Sequence, residues 1–268
     1  MRMHAFTRQQ LHALSLAFYE AHAAGFDASR VELPWPGWER LDAVLPEGRF
    51  RILDIGCGNG RLAAYLQGRG RVFDYVGTDA SEALLGAGRE RLTPGLEAAG
   101  CTAEWIRQDF LASEAPGEAL PPGPFDAVVL MGVLHHVPGA ETRRALLQAA
   151  SAQLAGGGVL AFTTWQFGDR PRFDKRRVQW EDVGPVLGAP IDLKTLEAGD
   201  TLLRFGDDPE APPRYCHQVS ESEFESWPAA LGLNSVARFQ SDGAAGDLNR
   251  YWILRAHPFP QAKTPDSS

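Results

Sequence analysis

Positive charge is in short supply in this chain. Its 26 lysines and arginines are outnumbered by 34 aspartates and glutamates, leaving a net charge of −8 at neutral pH. A protein that gripped nucleic acid over a broad electrostatic face would carry the opposite balance, so DNA is not expected as a partner and any RNA contact has to be local. Cysteine is scarcer still. Cys57, Cys101 and Cys216 stand at unrelated spacings that fit neither a disulfide framework nor a zinc site, so a reducing compartment is expected and a metal is not. Nowhere do about 18 apolar residues follow one another uninterrupted, which excludes a membrane-spanning helix. Arg8, Gln9, Gln10 and His12 stand where a secretory signal would place its apolar stretch, so the chain is expected in the cytoplasm. Internal repeats are absent as well.

What is present is an ordinary apolar fraction, 44%, in a chain long enough for one α/β domain with a sizeable core. The most informative stretch is Phe50-Arg-Ile-Leu-Asp-Ile-Gly-Cys-Gly-Asn-Gly60-Arg. It has the form of a buried strand ending in an acid, a loop with three alternate glycines, and a helix start. Such a loop lets a ligand press against bare backbone. The dinucleotide fingerprint is G-x-G-x-x-G, with a helix N-terminus facing a diphosphate. Here the third glycine comes one residue early, and Asp54 precedes the first by two. A carboxylate at that strand end suits a ligand with a cationic head, which points to S-adenosylmethionine and its ammonium group.

From Phe50 onward strands and helices alternate. Strands are expected at Arg51–Ile55, Phe73–Asp79, Thr102–Gln108, Phe125–Met131 and Gly158–Thr164, with helices at Arg61–Gln67, Ser81–Arg91 and Ala140–Leu154. This rhythm predicts an α/β fold, a Rossmann-like and mostly parallel sheet with helices on both faces. Ser81 before Glu82 marks a helix start, and Gly156 to Gly158 a helix end after Leu154. A helix at Glu221–Ala230 and strands at Ser235–Gln240 and Arg250–Ala256 predict an antiparallel C-terminal hairpin, making seven strands. Upstream, Leu11, Leu14, Ala17, Phe18 and Ala21 form a helical stripe, and a short helix is expected near Trp38–Val44. The organisation expected is an N-terminal helical cap over 1–48, a binding core over 49–165 and a charged, partly helical insertion or lid over 166–213. A C-terminal helix and strand pair over 214–257 would complete the same sheet, with a disordered tail over 258–268.

Ligands of open α/β sheets bind at the carboxyl ends of the strands. Those ends carry Asp54 with the glycine loop, Asp79-Ala80, Gln108-Asp109-Phe110, and Met131 followed by His135-His136. Asp79 can take both ribose hydroxyls, and Asp109 with Phe110 an adenine amine and its face. In this order the motifs resemble the class I S-adenosylmethionine-dependent methyltransferases over Phe50 to Thr164. The resemblance implies S-adenosylmethionine as cofactor, held by Asp54, Gly56, Cys57, Gly58, Gly60, Asp79, Ala80, Gln108, Asp109, Phe110, Met131 and His135. Cys57 reads as a small loop filler rather than a nucleophile, and Arg61 as a helix-surface charge in preference to a cofactor contact.

Met131-Gly-Val-Leu replaces the Asn/Asp-Pro-Pro-aromatic run that goes with exocyclic-amine methylation, and no cysteine sits in the Pro-Cys setting of pyrimidine C5 attack. Oxygen or small nitrogen acceptors remain. His136 is a candidate base because imidazole titrates near neutrality, although packing beside the cofactor is the preferred explanation of the histidine pair. The flanks carry Phe26-Asp-Ala-Ser-Arg30, Pro34-Trp-Pro36, Thr164-Trp165-Gln, Arg214-Tyr215-Cys-His217 and Asn249 before Trp252. These runs resemble the tRNA methyltransferases that esterify the carboxymethyl group of wobble uridine. The chain departs from that pattern with Ser29 for Thr, Cys216 for Tyr, and Asn249 set apart from Trp252.

That resemblance implies a carboxylate acceptor, already ionised and in need of a cation rather than a base. Arg30 and Arg214 would supply the cation, Tyr215 and His217 hydrogen bonds, and Trp165 a stacking surface. A surface charge at Arg214 and a core aromatic at Trp165 are the competing explanations. The basic run Arg170–Arg177 reads as an RNA contact or as a solvated charged loop. The expected partner is a methyl acceptor, tRNA or a small molecule; a small activating protein, as eukaryotic relatives use, is compatible with the chain. Three functions follow: methylation of a tRNA carboxylate, small-molecule O- or N-methylation under a lid, and S-adenosylmethionine binding without turnover.

Overall fold

The computed structural model describes residues 3–28, 34–113, 115–116, 118, 120–183, 187, 189–205 and 212–258. Ser29, Arg30 and all but Pro258 of the tail expected to be disordered (258–268) lie outside them. Strand β1 (Phe50–Ile55) is buried at all but one position, with Leu53 and Ile55 in one apolar layer and Ile52 in the other. Burial on both faces is what a central parallel strand requires, and it is why this run is apolar without alternation. Beside it lie β2 (Phe73–Asp79), β3 (Thr102–Arg107), β4 (Phe125–Leu130) and β5 (Leu154–Trp165), all parallel. The C-terminal strands β9 (Asn234–Ser241) and β10 (Asn249–Arg255) close the sheet antiparallel, in the order β3-β2-β1-β4-β5-β10-β9.

Helices cover both faces. On one, Trp38 and Leu41 of α2 (Trp38–Asp42), Leu62 and Leu66 of α3 (Arg61–Gly68), and Leu92 and Leu96 of α4 (Glu82–Ala98) pack on Ile52, Val129 and Ile253. On the other, Leu146 and Leu147 of α5 (Ala140–Ala152) and Phe224 and Trp227 of α7 (Glu221–Leu231) pack on Leu53, Val128 and Leu160. Each such side chain contributes about 1.5–3 kcal/mol on burial. Among the described residues no helix is long and apolar enough to cross a membrane.

Three expectations change. Helix α4 begins at the predicted cap, where Ser81 Oγ accepts the Leu84 N–H at 3.3 Å, but it runs through Pro94 to Ala98. Burial of Leu92 and Leu96 offsets the hydrogen bond that proline removes. Helix α5 ends at Ala152, and Gly156 to Gly158 lie inside β5 instead of capping a helix. The third change is the largest. Arg214 to His217, expected only as the run before the last helix, form β8 (Arg214–His217) of a second, antiparallel sheet.

This small sheet pairs β8 with β7 (Asp200–Leu203), and β7 with β6 (Arg177–Val178). Among the described residues the insertion thus contributes two strands, the single helical turn α6 (Pro171–Asp174) and two short 3-10 turns. Strands of two to four residues, flanked by charges and buried on both faces at β8, leave no periodicity in the sequence. The long helix α1 (Ala5–Ala28) lies against this sheet, with Leu11 and Leu14 beside Leu202 and Tyr215.

A buried ionic cluster holds the small sheet to the core. Arg143 of α5, fully buried, donates to Glu223 at 2.7 and 2.9 Å, to Glu197 at 2.6 Å and to the Val137 carbonyl at 3.0 Å. Asp200 accepts from Tyr215 Oη and His217 Nδ1, both at 2.6 Å, and from the Glu197 N–H at 2.7 Å. Burial pushes the Glu223 carboxyl up, but hydrogen bonds from His217 and Arg143 outweigh it and bring it down to about 2. A carboxyl depressed on folding stabilises above its unfolded value near 4.5 and loses that contribution as pH falls toward 2. Glu223→Gln is therefore expected to cost about 2 kcal/mol at pH 7. It should also flatten the acid limb of stability between those pH values, as read from urea unfolding.

Candidate active site

A cavity of about 750 Å³ opens at the carboxyl ends of the parallel strands. Its floor is the glycine loop, which is tied to the end of β2. The N–H groups of Gly56 and Cys57 donate to the Thr78 carbonyl at 2.7 and 3.0 Å, and that of Gly58 to Asp79 Oδ2 at 2.8 Å. Asp79 Oδ1 accepts the Ser81 N–H at 2.9 Å, so this carboxylate is oriented by backbone from two sides. Gly58 has φ +55°, and a Cβ there would meet nothing nearer than Leu84 at 3.9 Å. Gly60 is needed for packing instead: a Cβ would fall 2.4 Å from the Trp105 ring. It precedes α3 and does not line the cavity, contrary to the expected cofactor contact. Gln108 does not line it either; its N–H serves the Asp79 carbonyl.

The other expected cofactor residues, Asp54, Gly56, Cys57, Gly58, Asp79, Ala80, Asp109, Phe110, Met131 and His135, all line the cavity. Asp54 is 3% exposed and accepts from Tyr75 Oη at 3.0 Å; burial pushes its carboxyl up to about 7. Burial also raises Asp79, against the pull of its backbone donors. At Asp109 burial acts upward, but the His12 imidazole at 2.8 Å and backbone donors leave it below its ordinary value. Burial lifts the Cys57 thiol well above the usual range, away from the reactive thiolate form.

The lining also includes Arg214, 5% exposed. Its guanidinium lies over Phe18 at 4.8 Å and over Trp165 at 5.2 Å. Among the described residues it forms no ion pair, and its buried Nε has no hydrogen-bond partner. The nearby Cys216 thiol offers no charge, since burial pushes it up to about 11. His136 donates through Nδ1 to the Tyr215 carbonyl at 2.8 Å, which leaves Nε2 to accept from Tyr19 Oη at 2.8 Å. Both ring nitrogens are thus engaged, with Nε2 directed at Tyr19. Of the expected acceptor residues, Arg214, His136 and Trp165 meet at the cavity. The Tyr215 and His217 side chains do not: they bind Asp200 in the ionic cluster, because successive residues of β8 point to opposite faces. Glu197, Asp200 and His217 have the spacing of a cation site, with ligand atoms within 4.8 Å of one another, and Arg143 supplies the positive charge there.

Sequence reasoning missed several lining residues. Arg61 is no surface charge: it lines the cavity beside Trp35 and Trp38, and burial lowers its basicity. His12, Ser15, Leu16 and Tyr19 form a second helical stripe on α1 that faces the cavity, next to the apolar stripe that faces the small sheet. Their spacing was the available signal. Asp242 lines the wall from a turn, and no pattern in the sequence marked it.

The residues fit S-adenosylmethionine. Buried acids face a ligand with a sulfonium and an ammonium group, and the floor around Gly58 is open where a side chain would stand. This sheet order, with that loop and those acids at the strand ends, defines a class I S-adenosylmethionine-dependent methyltransferase. The chain belongs to the methyltransferase-domain family, which matches residues 12–237. It is similar to the tRNA (carboxymethyluridine(34)-5-O)-methyltransferase of Xenopus tropicalis, 34% identical over 53% of this chain and 19% of that protein. It is also similar to the trans-aconitate 2-methyltransferase of Variovorax paradoxus, 37% identical over 47% of this chain and 42% of that one. The chain spans about half the length of the curated relatives it matches first, which are mycobacterial methyltransferases of uncharacterised activity. In fold it resembles the 1,6-didemethyltoxoflavin-N1-methyltransferase of Burkholderia thailandensis, with a TM-score of 0.60 and 14% identity over 93% of this chain and 90% of that one.

Proposed function

We propose that this enzyme methylates a carboxylate oxygen of its acceptor, and that the acceptor is the carboxymethyl group of a modified tRNA wobble uridine. The observation that carries the carboxylate is Arg214. A guanidinium this buried, without a counter-charge among the described residues, is costly unless an anionic ligand completes it. A planar fork fixed between two rings suits a carboxylate. Such an acceptor is ionised at neutral pH and requires no base, which agrees with His136 being directed at Tyr19. The names of the Xenopus and Variovorax relatives, one a carboxymethyluridine enzyme and the other an enzyme of a carboxylic acid, support the reading.

S-adenosylmethionine supplies, when bound, a methyl group whose bond to sulfur breaks as the acceptor oxygen bonds it. The protein's part is placement. Asp54 takes the ammonium, Asp79 the ribose hydroxyls, and Asp109 the adenine amine with the lone pairs that His12 and the Leu111 N–H leave open. Arg214 aims the carboxylate, with Trp165 alongside. In the basic run, Arg170 binds Gln166 and Asp247, and Arg177 binds Gly168 and Thr201, so these two fasten the insertion. Arg172 and Lys175 are exposed and face solvent, where a phosphate could meet them.

The test is methyl transfer from labelled cofactor to tRNA bearing carboxymethyluridine, followed by mild alkali. A methyl ester releases its label as volatile methanol. Label that survives alkali would defeat the carboxylate reading. Alkali-labile label on small carboxylic acids but not on tRNA would keep the carboxylate and remove the tRNA.

Asp54 gives a pH signature. With its carboxyl near 7, an ammonium ligand must displace a proton below that pH. Affinity for S-adenosylhomocysteine is expected to rise from pH 6 to about 7.5, then fall as the ligand's own α-amino group deprotonates. Calorimetry at pH 6.5 in buffers of different ionisation heat should show proton release, and Asp54→Asn should abolish it.

A further inference from the structure

Asp242 is a buried acid on the cavity wall to which the roles above assign nothing. It is 3% exposed and, among the described residues, the one non-glycine position with positive φ, +70°. Aspartate enters that region more readily than most residues, yet still at some cost. Its carboxylate gathers three donors. Oδ1 accepts the Gly37 N–H at 3.0 Å; Oδ2 accepts from Asn249 Nδ2 at 2.8 Å and from Tyr251 Oη. Gly37 lies flat on Tyr251, where a Cβ would fall 2.4 Å from the ring. The segment before α2 is thereby fastened to the last strand of the sheet.

What this segment carries is Trp35. Its ring passes 3.2 Å from where a Cβ on Gly132 would stand, just past the end of β4. The same ring meets the Arg61 guanidinium at 5.8 Å, at the start of α3 beyond the glycine loop. Trp35 therefore spans the ends of β1 and β4, between which the methionine half of a cofactor in this fold would lie. We propose that Asp242 is a positioning residue for the cofactor. It holds Pro34 to Gly37 in place so that Trp35 roofs the methionine end of the site, and cofactor affinity depends on that roof. The inference rests on the cofactor and not on the carboxylate acceptor, so its test needs no acceptor and can fail independently.

The test is binding of S-adenosylhomocysteine to the full chain, by calorimetry and by stopped-flow dissociation. Asp242→Gly removes the latch without backbone strain. Asp242→Ala removes it and keeps the strain. Asp242→Asn keeps an oxygen for the Gly37 N–H and is tolerated at this φ. The Gly and Ala variants are expected to bind about tenfold more weakly, chiefly by faster dissociation, and the Asn variant to recover most of that loss. Gly37→Ala, which lifts the segment off Tyr251 with Asp242 intact, should match the Gly variant. Combining Asp242→Gly with Trp35→Ala should add nothing beyond Trp35→Ala alone, because both act through one roof. 5′-Methylthioadenosine, which lacks the amino-acid end, should lose less than about twofold in the Gly variant. Wild-type affinity in Asp242→Gly, or a full additive loss in the double variant, would overturn the proposal and leave Asp242 a purely structural residue.

Discussion

Asp79→Ala is expected to lower the affinity for S-adenosylhomocysteine by about a thousandfold, while the protein stays folded. The effect has two parts. Two hydrogen bonds from ribose hydroxyls to an ionised carboxylate are worth about 1.5–3 kcal/mol each, and about 4 kcal/mol together is a thousandfold in binding. The same carboxylate also holds the Gly58 and Ser81 N–H groups, so its loss frees the glycine loop that forms the cavity floor. Calorimetry measures the first part directly. Hydrogen exchange at Gly58 should report the second, as faster exchange in the variant even without ligand. A variant that bound normally would remove Asp79 from the cofactor site.

Arg214→Ala is expected to do the reverse. Cofactor affinity should stay within about threefold, because Arg214 sits between Phe18 and Trp165 and not on the glycine loop, whereas kcat/KM for the acceptor should fall by about a thousandfold. Truncating one partner of a buried, hydrogen-bonded charge pair costs about 2–5 kcal/mol. Arg214→Lys should recover little, since an ammonium cannot lie between Phe18 and Trp165 and offer a two-pronged contact as the guanidinium does. Stability gives a second readout. Removing a cation that no carboxylate among the described residues offsets should leave the apoprotein as stable as wild type or more so, which separates a binding role from a packing role. Substantial turnover by Arg214→Ala on its true acceptor would place the carboxylate site elsewhere.

The alternation from Phe50 to Thr164 was legible because a central parallel strand must be apolar on both faces, and a ligand pressed on backbone must have glycine beneath it. Those are local requirements, and Asp54, Asp79 and Asp109 follow from them as strand-end residues. The exceptions within the stretch are also local. Gly60 answers to Trp105 across the helix face, and Gln108 spends its N–H on β2; neither neighbour can be read from spacing along the chain.

The acceptor side was legible only as a set of residue types. Arg214, Tyr215 and His217 are consecutive or nearly so, yet a strand sends neighbours to opposite faces, and the small sheet turns Arg214 to the cavity and the other two to Asp200. The sequence carried no sign of that sheet, since β6 and β7 are too short for a period. By itself the sequence determined the parallel sheet, the cofactor and the class of chemistry, because each is encoded within single strands and the loops that follow them. Only the tertiary structure placed Arg61, Trp35, His12 and Asp242 on the cavity lining and His217 in the ionic cluster with Asp200. Those placements depend on which segments meet across the sheet, and long-range packing, unlike strand and loop chemistry, has no local period to read.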